Sequence, residues 1–185
     1  MIPFRIGFAV RYLLAGDIVA CATEGVWGLS CSPWHEETVD HLLALKSRPR
    51  HKGLILVAAD MAQFSFLVDD LSASDKAQLE LSWPGPTTWL VPHRQRVPDW
   101  IRGEHESVAL RVSNHPAVRE LCLAWGGPLV STSANTSGAQ AATEIHQLKR
   151  YFGHNLGYIL PGRPGGRGRP SRIVDLVSGK VLRPD

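Results

Sequence analysis

Cysteine is scarce and badly placed for cross-linking. Cys21, Cys31 and Cys122 are an odd number, widely spaced, and no CxxC occurs in the 185 residues. That disfavours a disulfide scaffold and a thiolate-built zinc site, and makes a reducing, cytoplasmic compartment the default expectation. Long apolar runs are missing too: none approaches the roughly 20 residues needed to cross a bilayer, so no membrane partner is expected. The stretch from Met1 to Gly16 carries Arg5 and Arg11, and no small-residue cleavage site follows it, which argues against a secretory signal. There is no GxxxxGK[ST] and no GxGxxG, so the familiar nucleotide-binding folds are not indicated. Without GxSxG a serine hydrolase is a poor reading, and the eight His include no HExxH and no metal-ligand spacing, so no built-in metal is expected.

The composition is that of an ordinary globular chain, 44% hydrophobic and 20% charged, long enough to bury most of one apolar core. One domain over residues 1–185 is the expectation. Against 17 Asp+Glu stand 20 Lys+Arg, a net charge of only +3, but the layout is uneven. Acids crowd 36–40 and 60–80. Bases crowd Lys46, Arg48, Arg50 and Lys52 around His51, and again Arg163, Arg167, Arg169 and Arg172, then Lys180 and Arg183. A basic run can be a solvated face. Two clusters, one punctuated by Pro and the other by Gly, fit phosphate better, because glycine lets the backbone approach an anion while Arg and Lys supply charge. A nucleotide, a nucleic acid, or both are the expected partners.

Periodicity predicts helices over 4–15, 36–46, around 61–67 and 74–81, from Pro116 to about 125 with Asn114 as N-cap, and over 143–152. Strands are predicted at 17–22, 54–59, 87–91, 107–112, 128–132, 158–160, 172–176 and 180–183, with 23–33 read as a loop and 161–170 as a mobile, low-complexity stretch. The irregular alternation indicates α/β with a mixed sheet rather than a doubly wound one.

Three segments carry candidate chemistry. Thr23-Glu24-Gly25-Val26-Trp27-Gly28 follows a buried strand, the usual place for a ligand-contacting loop; Thr23 can orient a polar ligand and Trp27 can wall a pocket or simply fill a core. In 46–53, Lys46 ends a helix and complements its dipole, whereas Arg48 and Lys52 sit beyond it in a Pro/Gly loop able to grip a triphosphate from several sides. Ser131-Thr132-Ser133-Ala134-Asn135-Thr136-Ser137-Gly138 sets five hydroxyls and one amide at a strand end, suited to sugar, phosphate or amino-acid oxygens, or to capping. Arg111 at a strand end and Arg183 near the C-terminus are further candidate anion contacts.

In order, TEGVWG, KSRPRHKGLILVA, WPGPTTWLVP, VALRVSNHP, PLVSTSANTSG and PSRIVDL…GKVLRPD resemble the YrdC/TsaC family, the L-threonylcarbamoyladenylate synthases of tRNA modification, from about Ile18 to Arg183. At 185 residues the chain resembles the family's short, single-domain form. The resemblance implies a twisted mixed sheet flanked by helices around a deep, positively charged cavity. It implies a nucleotidyltransferase that makes L-threonylcarbamoyl-AMP and pyrophosphate from threonine, bicarbonate and ATP. Partner transferase proteins would then move the threonylcarbamoyl group to N6 of adenosine 37 of tRNA, and a contact with tRNA itself is allowed. Position by position, Lys46, Arg48, Ser133 and Asn135 match the family's Lys, Arg, Ser and Asn set, with Lys52 a further cation in the same loop. Thr23, Arg111 and Ser131 fall where the family holds threonine, and Ser107, Ser133 and Arg183 fall near the nucleotide. Mg2+ is expected with ATP, bound through phosphates. Ala22 replaces a usual Pro, Gly25 a usual Thr or Ala, Trp27 a usual Tyr or Phe, and Pro170-Ser171-Arg172 a usual PST. Gly25 and Trp27 lead to the expectation of a looser or altered amino-acid preference.

A non-catalytic module for double-stranded RNA, tRNA or rRNA would use the same arginines, but it has no need of so concentrated a hydroxyl run. A carbamoyl-transfer or maturation domain of a larger protein would share the fold.

Overall fold

In the short run Val19–Ala22 every residue is buried, and successive side chains go to opposite faces. Val19 and Cys21 enter one core, Ala20 and Ala22 another. A strand buried on both sides needs cover on both sides, and the rest of the chain supplies it. The computed structural model describes residues 3–166, 168 and 171–184. Arg167, Arg169 and Pro170, and with them those parts of the 161–170 stretch, lie outside the described residues.

The first half of the chain forms α1 (Phe4–Leu14), β1 (Val19–Ala22), β2 (Trp27–Ser30), α2 (Glu36–Leu45), β3 (Ile55–Ala58), α3 (Ser65–Val68) and α4 (Ala73–Glu80). The second half forms β4 (Thr87–Pro92), α5 (Asp99–Arg102), β5 (Ser107–Val112), α6 (Pro116–Trp125), β6 (Leu129–Ser133) and α7 (Ile145–Phe152). Three short strands close it: β7 (Tyr158–Ile159), β8 (Arg172–Asp175) and β9 (Val181–Arg183). The nine strands of the described residues share one mixed sheet in the order β7-β1-β2-β6-β3-β5-β4-β8-β9. β3 runs parallel to β5, and β4 parallel to β8, while β6 is antiparallel to both β2 and β3.

On one face, Ile6, Ala9 and Leu13 of α1 and Val118, Leu121 and Cys122 of α6 pack on Val19, Cys21, Val57 and Leu129. On the other, α2, α3 and α7 cover Ala20, Leu29, Leu56, Leu110 and Val130. No helix among the described residues is long and apolar enough to cross a membrane.

Most expected elements form within a residue or two of their predicted limits. Three differences have local causes. The predicted loop 23–33 contains β2, which makes a hairpin with β1; Gly28, which weakens the strand signal, is needed because a Cβ there would stand 3.0 Å from the Thr23 methyl. Asn114 is not the N-cap of α6: His115 is, and the Asn114 N–H donates instead to Glu24 Oε1 at 2.9 Å. The predicted helix at 61–67 begins as a 3-10 turn over Met61–Phe64 before α3.

A cation-lined cavity as the candidate active site

The face covered by α1 and α6 is covered only in part. Alternation sends Val108, Leu110 and Val112 of β5 into the α2-side core, so Ser107, Ala109 and Arg111 point the other way. In register, Ala109 lies opposite Leu90 on one side and Ile55 on the other, and Ile55 lies opposite Ser131. Gly28 lies opposite Ser133. These residues floor a cavity of about 330 Å³ just beyond the reach of α1 and α6. Ser107 and Arg111 are four residues apart on one strand, so the floor is roughly 13 Å long.

At the Ser107 end sits the loop that follows α2. Arg48 donates from Nε and Nη2 to Gly53 O at 3.2 and 2.8 Å, which fixes the guanidinium against the start of β3. Burial pulls its pKa below the ordinary arginine value. Lys52 is exposed at the rim. The loop is locked by backbone: Leu54 N donates to Ile101 O at 2.8 Å, and Gly53 at φ 60 packs so tightly that a Cβ would come within 2.8 Å of Arg102 O. From the side wall Arg183 donates through Nε to Ser171 O at 2.8 Å and through Nη2 to Ser171 Oγ at 3.2 Å. Burial, then repulsion from Arg111 and Arg48, lowers its pKa.

Lys46 and Asn135 do not line the cavity. Lys46 is only 4% exposed; its ammonium donates to Ser133 O and, at 2.7 Å, to Asn135 O, while its own carbonyl accepts from Ser137 N at 2.7 Å. Burial first, and Arg48 second, pull it down to about 8. Asn135 donates to Thr136 O and Ala139 O, both at 2.9 Å, and its Oδ1 accepts from Ser133 Oγ at 2.6 Å. Lys46 and Asn135 therefore shape the loop that presents Ser131 and Ser133.

At the other end stands Arg111, 7% exposed. Thr23 lines the cavity too, but its hydroxyl already donates to Val26 O at 2.8 Å and accepts from Val26 N at 3.5 Å, leaving one lone pair of the oxygen as an acceptor and the methyl as a wall. Gly165 N donates to Thr23 O at 2.9 Å and His115 Nε2 meets Arg163 O at 3.2 Å, so 163–165 is tied to the Thr23 loop and to the start of α6.

Of the ten residues singled out from sequence, Thr23, Arg48, Lys52, Ser107, Arg111, Ser131, Ser133 and Arg183 line this one cavity. Sequence reasoning passed over Glu24, Arg102 and His105, which line it as well. Glu24 was visible in the TEGVWG motif, where a carboxylate inside an otherwise apolar and glycine-rich loop is itself a signal. Its Oε1 accepts from Ser113 Oγ at 2.7 Å and Asn114 N at 2.9 Å, and Oε2 lies 3.7 Å from Arg111 Nη2. Burial alone would raise the Glu24 carboxyl; Arg111 and these hydrogen bonds outweigh it and hold it below the usual range. Arg102 and His105 come from an α5 region that carries no motif. Trp27 pairs with Ala22 in β1 and is buried in the core on the α2 side, yet it also lies among the residues that line the cavity, so it fills a core and borders the pocket. The three cysteines are unpaired and buried, and burial raises their thiols, Cys21 to about 11 and Cys31 to about 12.

A protein-family model described as "Telomere recombination" (Sua5/yciO/yrdC) matches residues 11–184. A protein of Stutzerimonas stutzeri (strain A1501) named threonylcarbamoyl-AMP synthase is 52% identical over 181 residues, 98% of this chain and 97% of its own. One of the same name from Pseudomonas entomophila (strain L48) is 50% identical over the same shares. Among solved structures, P. abyssi Sua5 complexed with L-threonine superposes with a TM-score of 0.89 at 30% identity, covering 97% of this chain and 53% of that one. The chain thus spans about half the length of that Sua5.

Proposed function

The chain belongs to the Sua5/YciO/YrdC family, and from that premise we infer that it is a threonylcarbamoyl-AMP synthase acting in threonylcarbamoyladenosine synthesis on tRNA. One observation carries the assignment of parts: one cavity among the described residues has Arg111 towards one end and Arg48, Lys52 and Ser107 towards the other, with Ser131 level with the middle of its floor.

The reaction asks for this polarity. Threonine's amine and bicarbonate condense to a carbamate with loss of water. A carbamate oxygen then attacks the α-phosphorus of ATP, and the bond from that phosphorus to pyrophosphate breaks. No enzyme nucleophile is required; the reactants must be held close, the triphosphate neutralised and water kept out. In this reading Arg111 takes the threonine carboxylate, Ser131 and the Thr23 oxygen and methyl define the neighbouring wall, and Arg48, Lys52 and Arg183 take the phosphates. Ser107 and Ser133 offer hydroxyls to the nucleotide. Lys46 and Asn135 act by holding the Ser131–Ser133 strand end in place.

Mg2+ enters as part of the ATP substrate. The only carboxylate among the described lining residues, Glu24, is already taken by Ser113, Asn114 and Arg111, so the phosphates are left to bind the cation. The product is a mixed anhydride, so a transferase that delivers the threonylcarbamoyl group to tRNA is its natural consumer. The RNA-binding alternative is not favoured, since the named relatives are enzymes and the cations converge on a cavity.

The test is pyrophosphate release from ATP by the purified protein, with threonine and bicarbonate omitted in turn. Release that needs both is expected. Release that needs neither, or none at all from folded protein, would overturn the assignment.

A further inference from the structure

Among the described residues, five cations line the cavity, Arg48, Lys52, Arg102, Arg111 and Arg183, against the single carboxylate of Glu24. Their pairing is uneven. Arg102 is satisfied by Asp99 Oδ1 at 2.6 and 3.0 Å. Among the described residues, Arg48, Lys52 and Arg183 have no carboxylate partner. Arg111 alone stands beside the lone acid, at 3.7 Å, with side-chain exposures of 9% and 14%. That distance is too long for a hydrogen bond. Both Glu24 Oε2 and Arg111 Nε are in fact buried without a hydrogen-bond partner, while Oε1 is pinned by Ser113 and Asn114. Buried polar groups left open in this way are uncommon and need an explanation.

We propose that Glu24 sorts the two substrates by charge: it makes the Arg111 end accept a zwitterionic amino acid and refuse a phosphate, which is confined to the Arg48–Lys52 end. The inference rests on reading the cavity as a site for an amino acid and ATP. A zwitterion carries both charges, so its carboxylate can face the Arg111 guanidinium while the Glu24 charge draws its ammonium through space. A phosphate or pyrophosphate supplies acceptors only and would meet the Glu24 charge. Without such a counter-charge, Arg111 would be another cation in a cavity full of them, and the triphosphate could bind in the threonine position. Glu24 is in this sense a selectivity residue, which attracts or repels before any bond is made.

Glu24→Gln separates charge from architecture, because the amide oxygen can still accept from Ser113 and Asn114. The experiment is equilibrium displacement of labelled L-threonine by inorganic pyrophosphate. In the wild type, pyrophosphate filling the Arg48 end leaves threonine bound. In Glu24→Gln, threonine is displaced at about a tenth of that pyrophosphate concentration or less, the scale of removing one nearby charge. Identical displacement curves for the two proteins would overturn the proposal. So would ready displacement in the wild type, a result that requires no variant to fold. If the wild type binds no threonine at all, the functional reading fails separately. Binding of inorganic phosphate then still decides: a gain in Glu24→Gln that vanishes in Glu24→Gln/Arg111→Met supports the sorting role, and no gain ends it.

Discussion

The Lys46 ammonium lies against two backbone carbonyls, Ser133 O and Asn135 O, with 4% of the residue exposed. A buried cation held this way costs desolvation and repays it by satisfying two acceptors that would otherwise be stranded. Lys46→Met is therefore expected to lower stability by about 2 kcal/mol or more and to lose most pyrophosphate release, because the loop bearing Ser133 loses its anchor. The pH dependence has a definite sign. Lys46 is lowered from 10.5 to about 8, so between those values the unfolded chain binds more protons than the folded one. Its contribution to stability then rises with pH across that window and is flat below about 8. The raised thiols of Cys21 and Cys31 act in the opposite direction, losing stability as pH climbs through the ordinary thiol range. Urea midpoints of wild type minus Lys46→Met, which cancel the thiols, should show the rise; a gap that is flat from pH 8 to 10.5 would refute the burial of the charge.

At the scale of elements, the phosphate end depends on two loops jammed backbone to backbone. Gly103, at φ 64, would place a Cβ 2.3 Å from His51 O, and Glu104 N donates to that same carbonyl at 3.2 Å. Neither contact can yield without moving the turn that carries Lys52. Gly103→Ala is expected to destabilise by about 2 kcal/mol or more and to raise KM for ATP several-fold while leaving KM for threonine nearly unchanged. Thermal melting and steady-state kinetics with each substrate varied would check it. Equal effects on both KM values would mean that the cavity responds as one rigid unit. Elements were legible where the signal is local: α6 announces itself by Pro116 and an apolar stripe, and β5 by SVALRV. β2 was not, because Gly28 answers a contact with Thr23 that a linear pattern cannot contain.

At the scale of the whole molecule, one sheet face is divided between function and stability. α1 and α6 close it over β1 and the far ends of β3 and β6, and the remainder is the cavity. Cations gathered in a recess respond to salt differently from a cationic surface. ATP binding is expected to weaken modestly as salt rises, while any RNA affinity falls steeply through release of counterions. Titrations of both at two ionic strengths would tell; an ATP affinity falling as steeply as RNA's would place the phosphates outside the recess.

Sequence alone determined the class of fold and the residue types at the site, because periodicity, turn chemistry and motif spacing are written within short stretches. The pairing of KSRPRHKGL with STSAN pointed to the family without any structure. Tertiary structure decided which of those residues meet a ligand and which hold others in place. Lys46 and Arg48 are two residues apart, yet one is buried on carbonyls and the other faces the cavity. Trp27 shares a motif with Thr23, yet it is buried in the α2-side core and only borders the cavity. Glu24 acquires its role only through Arg111 and Ser113, about ninety positions along the chain. Strand register and the extent of helix cover set these outcomes, and both depend on pairings between distant segments that no local pattern encodes.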